Sequence, residues 1–321
     1  MPLSTGDLIG LMADNLRLRR SVLPIPTRNV TRWARGLDLP RGGTTVLYTG
    51  QMYQLIPYIE RLVRLEQHFG ESWVSRFTSL GRRVNRIVNI TAFMAHPSAR
   101  TRAPYDEIPA NVAHLLTQAG VQFGCLYSDD LYSGALAHDL GLDDLVAEQA
   151  RRVRAVFAKH GVTDVITIDP HTTNMLRSVY PSLIDGFTVR VRSYLEVLAE
   201  QSLPVRTTLA GEVAIHDSCL FARRENVLAQ PRDLLGRTGI TIREPAGTGR
   251  STWCCGGPLE SLYPDKALAQ ARTRVAQLQQ VASTGVTMCP LCLVNLEKGA
   301  AGAMSFSDIS HYLRRAYAPQ P

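Results

Sequence analysis

The stretch Cys254-Cys255-Gly256-Gly257-Pro258 is the centre of a cysteine pattern around which the second half of the chain is organised. His216-Asp217-Ser218-Cys219 lies upstream of it, and Cys289-Pro290-Leu291-Cys292 lies downstream. Five of the six cysteines belong to this pattern, which reads C-x34-CC-x33-C-x2-C. Thiolates are soft ligands that bind iron–sulfur clusters, zinc or cuprous copper. The pattern therefore predicts a metal site with five candidate ligands, Cys219, Cys254, Cys255, Cys289 and Cys292.

Short apolar segments lead into these cysteines. Glu212–Ile215 precedes Cys219, Val286–Met288 precedes Cys289, and both segments are typical of short strands. In open α/β sheets, ligands bind outside the carboxyl ends of the strands. A helix that begins near Pro290 would also direct its first backbone N–H groups towards an anionic thiolate or cluster. We therefore expect the sulfur atoms to converge at one edge of a parallel sheet.

Three other interpretations of the cysteines compete with an iron–sulfur cluster. A structural zinc site is the main alternative, because four thiolates are enough for tetrahedral zinc. A C-x-x-C pair could form a dithiol redox centre, but such a pair needs none of the other three cysteines. Buried thiols that pack as small hydrophobic side chains would not explain why the cysteines follow strands. Because five sulfurs exceed the requirement of zinc, the pattern favours a multinuclear iron–sulfur cluster.

The segment HDSCLFARREN…PRDLLGRTG…STWCCGGP…MCPLCLVNLEKG resembles the cysteine-rich CCG domain of heterodisulfide reductase subunits B and D. Similar domains occur in iron–sulfur subunits of glycolate-, lactate- and glycerol-3-phosphate-oxidising systems. The resemblance covers about residues 211–300 and implies a noncubane [4Fe-4S] cluster held by the five cysteines. It further implies an oxidoreductase subunit for electron transfer and thiol–disulfide chemistry. The implied partners are a ferredoxin-like iron–sulfur subunit of the heterodisulfide reductase type, a flavoprotein and a small thiol or disulfide substrate.

The first half of the chain repeats the design of the second half without its cysteines. Thr44–Gln51 aligns with Val213–Cys219, and Tyr132–Ala135 aligns with the Cys-Cys-Gly-Gly stretch. Asp169–Thr172 aligns with the segment that contains the last two cysteines. Gln, Tyr, Ser, Asp and Thr cannot replace thiolates around a soft iron–sulfur centre. We therefore predict a duplicated domain whose first copy binds no metal.

Helical periodicity between the strands supports two α/β modules. Asp143–His160 and Pro264–Thr284 each carry an apolar face and are followed by a short strand, with Gly161 and Gly285 as the expected helix ends. This alternation predicts two pseudo-symmetric, Rossmann-like α/β modules with mainly parallel sheets. An insertion around residues 60–105 is predicted to be helical. The expected boundaries are 1–43 for an N-terminal arm that docks onto a partner, 44–205 for the module without ligands, and 206–321 for the intact module.

The composition indicates a folded protein that does not bind nucleic acid. Of the 321 residues, 45% are hydrophobic, 20% are charged and only 7% are aromatic, so stacking platforms for bases are scarce. The formal net charge of +7 suits an acidic partner or an anionic substrate. Neither a signal peptide nor an apolar run of transmembrane length is evident, and clustered thiolates suit a reducing compartment. We therefore expect a cytoplasmic location, with peripheral attachment to a membrane-bound complex as an option.

Several residues outside the cysteine set are also candidates. His216 and Asp217 could carry protons or hydrogen-bond to the ligands, and a hydrogen-bonded strand end is the alternative explanation for both. Pseudo-symmetry would place Ser133, Asp169 and His171 across a groove from the cysteines, where they could bind an anionic or thiol substrate.

The sixth cysteine, Cys125, lies outside the pattern, and the sequence contains no ferredoxin motif. Cys125 lies in the apolar run Val121–Tyr127 and is expected to be a packed free thiol. No C-x2-C-x2-C run of the kind that binds cubane clusters occurs, so electrons are expected to arrive from another polypeptide. An electron-relay subunit of a flavin-dependent dehydrogenase and a structural zinc-binding subunit are the alternatives to sulfur chemistry. An open pocket beside Cys254 and Cys255 would favour a sulfur substrate, whereas a filled space would favour a relay.

Overall fold

Two four-stranded, all-parallel sheets form the framework of the chain. The computed structural model describes residues 5–23, 25–75, 96–260 and 262–318. The strands are β1 (Thr45–Tyr48), β2 (Gly124–Cys125), β3 (Asp164–Thr167), β4 (Arg190–Ser193), β5 (Glu212–Ile215), β6 (Thr241–Arg243), β7 (Thr284–Thr287) and β8 (Ser305–Asp308). Their order is β2-β1-β3-β4 in the first sheet and β6-β5-β7-β8 in the second. The predicted α/β fold of two modules with parallel sheets is therefore confirmed.

Helices connect the strands, as parallel pairing requires. The α-helices are Thr5–Arg19, Thr27–Val30, Met52–Ser75, Ala99–Gln118, Ala135–Asp139, Asp143–Lys159, Pro170–Asn174, Tyr180–Leu183, Tyr194–Ala199, Ala229–Arg237, Pro264–Gln279, Pro290–Ala300 and Ile309–Tyr317. Two further helical turns are of the π type, Met175–Val179 and Phe221–Glu225. Within the predicted helical insertion, residues 76–95 lie outside the described part of the chain, and the flanking described residues are largely helical.

The two connecting helices that periodicity predicts are both present, but one ends earlier than expected. Asp143–Lys159 buries Val146, Val153 and Phe157 and is followed by Gly161 at φ +67°, the left-handed conformation expected of a C-terminal glycine. The second helix ends at Gln279. The prediction that Gly285 ends it was wrong, because Gly285 lies inside β7. A Cβ atom there would come within 2.3 Å of the Phe306 ring, so this glycine serves close packing of neighbouring strands.

The backbone repeats between the two modules at the positions that the sequence alignment pairs. Gly134 and Gly256 both have φ +83°, a conformation that glycine adopts without steric cost. Asp169 and Cys289 both have extended backbone and both precede a proline that begins a helix. The shared strand order and these shared turns place the aligned segments at equivalent edges of the two sheets.

The two modules contact one another through buried polar groups. The Tyr53 hydroxyl donates to Asp308 Oδ2 at 2.5 Å. Glu225 accepts hydrogen bonds from Asn174 Nδ2 at 2.7 Å and from Ser178 Oγ at 2.9 Å. Buried charged groups are stable only when such partners are present. These contacts hold the helix that begins at Pro170 against the second module, and His171 lies on that helix.

The described part of the predicted N-terminal arm packs onto the first module. Leu16 and Trp33 are buried, and Arg152 donates to the backbone carbonyls of Leu16 and Arg17, each at 3.1 Å. The tryptophan of this segment therefore contributes to the core of the chain itself. Contact of the arm with a partner protein stays a prediction.

Two further expectations concern Cys125 and membrane spans. Cys125 lies in β2, is buried, and has a pKa raised to about 12 by burial. It is thus a packed thiol in the module that does not contain the other five. Among the described helices, none combines the length and the apolar character needed to cross a bilayer.

Candidate metal centre

All five cysteines of the pattern lie in one region, on segments that follow strands or begin a helix. Cys219 follows the end of β5, and Cys289 follows β7 as the N-cap of the helix Pro290–Ala300. Cys292 lies in the first turn of that helix. The adjacent pair, Cys254 and Cys255, lies on the loop that crosses between β6 and the helix Pro264–Gln279. All five are free thiols; Cys255, Cys289 and Cys292 are buried, whereas Cys219 and Cys254 are half-buried.

The five sulfur atoms form a continuous series of contacts. The Sγ atoms of Cys255 and Cys292 are 3.1 Å apart. Side-chain hydrogen bonds also join Cys219 to Cys254, Cys254 to Cys255, and Cys289 to Cys292. The structure therefore brings together every cysteine that the sequence pattern groups.

Hydrogen bonding divides the thiols into acceptors and donors. Donation from the thiols of Cys219 and Cys255, helped by the backbone N–H of Gly256 at 3.4 Å, lowers the pKa of Cys254 to about 2. The pKa values of Cys219 and Cys255 are raised, because each donates to Cys254. Crowded thiolates repel one another, so a bound cation or cluster is needed before all five can ionise.

The helix N-terminus contributes as the sequence indicates. Burial opposes ionisation of Cys289, but hydrogen bonds from the Cys292 thiol and from the Cys292 backbone, together with His171, lower its pKa well below the usual range. The prediction that backbone N–H groups at this helix start face a thiolate is thus matched by the contacts of Cys289.

His216 lies beside the sulfur atoms. One of its ring nitrogens lies within 4.8 Å of the Sγ atoms of Cys255 and Cys292. Nδ1 accepts a hydrogen bond from Nε of Arg274 at 3.1 Å, and Nε2 has no partner among the described residues. Burial and the adjacent guanidinium lower the pKa of His216 to about 3, so the imidazole is neutral. Its place at the site agrees with the sequence analysis, and a role in moving protons stays a prediction.

The Asp217 carboxylate is held in a hydrogen-bonded network. Its carboxylate accepts from both terminal nitrogens of Arg232 at 2.8 Å, from the Gly249 N–H at 2.8 Å and from Thr248 Oγ1 at 3.2 Å. Burial alone would raise the pKa of Asp217, but Arg232 and the N–H donor lower it overall. The geometry therefore supports the hydrogen-bonded strand end, which anchors the loop before Cys254. A catalytic role of Asp217 stays a prediction.

His171 enters this site from the first module. It hydrogen-bonds to Cys289, and its Nδ1 is 4.0 Å from Asp139 Oδ2. Burial opposes the charged form, but the Cys289 thiolate and the nearby carboxylates raise the pKa of His171 to about 9. Asp169 instead caps its own helix by accepting from the Thr172 N–H at 2.9 Å, and Ser133 is buried within the first module. Of the three predicted residues across the groove, His171 is the one that contacts a cysteine.

The corresponding region of the first module is filled by its own side chains. Gln51 donates to the Asp130 carbonyl at 2.6 Å. A Cβ atom on Gly50 would lie 2.3 Å from Thr172 Oγ1 and 3.0 Å from Ser133 Cβ. The atoms here are oxygens and amide nitrogens, which suit hard cations better than iron–sulfur clusters.

Arg274 is the site residue that sequence reasoning missed. Its Nε holds His216, while Nη1 donates to the Ala246 carbonyl at 3.0 Å and to Gln277 Oε1 at 2.8 Å. A signal was available, because Arg274 falls on the same helical stripe as the buried Ala271 and Leu278. An arginine on an apolar stripe needs a buried partner. In a chain with many arginines and a net positive charge, this position of Arg274 is easily overlooked.

The family model described as a cysteine-rich CCG domain matches residues 213–297. The chain is also similar to three curated relatives. They are the probable iron-sulfur-binding oxidoreductase FadF of Bacillus subtilis (29% identity over 215 residues), the EtfAB:quinone oxidoreductase of Syntrophomonas wolfei (27% over 213) and a probable membrane-anchored ferredoxin of Chromohalobacter salexigens (27% over 199). The alignments cover 64%, 62% and 57% of this chain. They cover 30%, 30% and 29% of the relatives, so the chain matches less than a third of each.

Proposed function

We propose that the chain is an iron–sulfur subunit or segment of an oxidoreductase, and that it holds one cluster through Cys219, Cys254, Cys255, Cys289 and Cys292. The convergence of five free thiols on one edge of the second sheet is the observation that carries this proposal. Zinc needs four ligands, whereas a multinuclear cluster can use five. The resemblance to heterodisulfide reductase subunits makes a noncubane [4Fe-4S] cluster the specific proposal.

The residues present suit such a cluster. Five soft donors lie together, three of them buried, and a buried ring nitrogen of His216 lies beside two of them without a partner among the described residues. When bound, an iron–sulfur cluster supplies one-electron redox chemistry. The protein residues bind it, exclude water from the Cys255 side, and place the cationic side chains of Arg274 and His171 close to the sulfurs.

Electron relay is the use that the comparisons with known proteins favour. The printed names of two relatives mention a quinone oxidoreductase and a ferredoxin. We therefore favour transfer of electrons between a flavoprotein and a quinone-linked or ferredoxin-like partner, at the periphery of a membrane-bound complex.

Thiol–disulfide chemistry is the second candidate function. Cys219 and Cys254 are half-buried, and Trp253 beside them is 47% exposed. A small thiol or disulfide could approach the cluster from this side, as the resemblance to heterodisulfide reductase implies. In that case the reduction of a disulfide to two thiols would consume two electrons and two protons, with the electrons delivered one at a time by a partner.

Metal and sulfide analysis with electron paramagnetic resonance on anaerobically prepared protein tests the proposal. We expect about four irons with matching acid-labile sulfide per chain. Cys255→Ser should abolish the cluster signal, whereas the matched control Cys125→Ser should retain it, because Cys125 is buried in β2 of the other module. One zinc without sulfide would contradict the proposal and make the site structural.

A second assay separates the two candidate functions. The chemically reduced protein is mixed under argon with a quinone analogue, with a ferredoxin, or with a small disulfide. Cluster reoxidation by the first two acceptors alone supports the relay. Reoxidation by the disulfide with the release of two thiols per two electrons supports sulfur chemistry instead.

A further inference from the structure

Arg274 is a buried cation without a carboxylate partner among the described residues. Its side chain is fully buried, with 0% exposure. Its three hydrogen-bond acceptors are the neutral groups His216 Nδ1, the Ala246 carbonyl and Gln277 Oε1. Its Nη2 atom has no partner in the described part of the chain. Because burial of an isolated charge is strongly unfavourable, a compensating negative charge is required nearby.

The five cysteines would supply that negative charge in the proposed cluster site, because their thiols lose their protons when they ligate a cluster. Burial lowers the pKa of Arg274, whereas Asp217, then Cys292 and Glu244, favour its charged form. Both carboxylates are already paired with Arg232. The cysteine site, which His171 also contacts from the first module, is therefore the remaining source of negative charge beside Arg274.

The hydrogen bond between Arg274 and His216 also fixes the tautomer of the imidazole. A guanidinium carries only donors, so His216 Nδ1 must be the acceptor. A neutral imidazole with an accepting Nδ1 carries its proton on Nε2. Nε2 is then a donor and cannot ligate a metal, and it is the nitrogen left available to the sulfurs of Cys255 and Cys292.

We propose that Arg274 positions His216 as an Nε2–H donor towards the cluster and its cysteine ligands, and that Arg274 is the buried countercharge of the cluster. This inference rests on the proposed function, since it requires a cluster at the five cysteines. His216 is therefore a hydrogen-bonding residue and is not an iron ligand. Hydrogen bonds to sulfur and nearby positive charge both stabilise the reduced, more negative cluster and raise its reduction potential.

A redox titration tests the countercharge. Arg274→Gln removes the cation and keeps polar atoms, and Arg272→Gln is the matched control, because Arg272 lies on the same helix and is exposed. We expect Arg274→Gln to shift the one-electron reduction equilibrium at least tenfold towards the oxidised cluster. This corresponds to a potential about 59 mV lower. A shift no larger than that of Arg272→Gln would overturn the countercharge.

The nitrogen coupling of the wild-type protein tests the tautomer without relying on a change in stability. Protein labelled with ¹⁵N-histidine is reduced and measured by pulsed electron paramagnetic resonance. A weak coupling that disappears in His216→Phe is expected for an N–H donor. A strong coupling typical of a directly bound imidazole would overturn the inference while leaving the cluster proposal intact. Absence of iron and sulfide from the same sample would instead overturn both.

Discussion

Replacing Asp217 with asparagine tests whether the end of β5 holds the cysteine loop in place. The carboxylate has 1% exposure and accepts hydrogen bonds from Arg232, Thr248 and Gly249. The backbone carbonyl of Asp217 also accepts from Thr252 Oγ1 at 3.1 Å, two residues before Cys254. Asp217→Asn keeps the size of the side chain but removes its charge. The NH₂ group of the asparagine would also face one of the N–H donors of Arg232 or Gly249, where no hydrogen bond can form.

The magnitude follows from the burial of the two partners. Removing one member of a fully buried ion pair costs about 3–5 kcal/mol. Arg232 retains 24% exposure and keeps its 2.7 Å contact with Glu244, so part of this loss is recovered. We therefore expect Asp217→Asn to lower the free energy of unfolding by about 2–3 kcal/mol at neutral pH.

The sign of the pH dependence is fixed by the direction of the pKa shift. The pKa of Asp217 in the folded protein lies below its ordinary value of 3.8. The stabilisation by the carboxylate is therefore complete above that ordinary value and is lost as the pH falls through the folded pKa. The difference between wild type and Asp217→Asn should shrink accordingly in acid.

Urea denaturation under anaerobic conditions, with the iron content of each sample, provides the assay. Asp233→Asn is the matched control, because Asp233 pairs with Arg237 on the surface of the neighbouring helix. Such exposed pairs contribute about 0–1 kcal/mol. We expect Asp217→Asn also to lose iron more readily than the control does. Equal unfolding free energies for the two variants would refute the anchoring role of Asp217.

Three further predictions concern a glycine, a buried acid and the module interface. Gly256→Ala should reduce both the stability and the iron content, because its Cβ would lie 2.6 Å from the Ala267 backbone oxygen. The control Gly302→Ala, at φ +86° with open space around it, should lower the free energy of unfolding in urea by only about 1–2 kcal/mol. Burial raises the pKa of Asp130 to about 7, so the folded state binds more protons than the unfolded state between pH 4 and pH 7. The free energy of unfolding should therefore fall by up to about 4 kcal/mol over this range, and Asp130→Asn should flatten the decline. Tyr53→Phe should lower the unfolding free energy by about 1–3 kcal/mol, since it leaves Asp308 without its hydroxyl donor; an unchanged urea midpoint would contradict this.

Local pattern was sufficient to predict the fold and the grouping of the cysteines. Strand ends followed by cysteine, a proline that begins a helix, and a left-handed glycine are all encoded within a few residues. The helix Pro264–Gln279 shows where this reasoning fails, because Gly285 resembles a helix cap in sequence but is needed for the approach of Phe306 on another strand. That contact joins segments that periodicity alone cannot bring together.

Residues that act through distant contacts were the ones that sequence reasoning could not place. Arg274 contacts His216, which lies 58 positions away in the sequence. Its role depends on the burial of its side chain, which a count of charged residues does not reveal. The direction of Asp217 could not be predicted either, since Arg232 competes with the sulfur site for its carboxylate.

The first module remains part of the site although it supplies no thiolate. His171 reaches Cys289 because the buried contacts of Asn174 and Ser178 with Glu225 press its helix against the second module. Removing that helix would leave Glu225 buried without its amide and hydroxyl donors and would open the Cys289 side to water. A module without ligands can therefore still determine the electrostatic surroundings of the cluster, since positive charge near the sulfurs favours the reduced form. In the proposed cluster site, His171 of the first module and the cysteines of the second module would therefore act together.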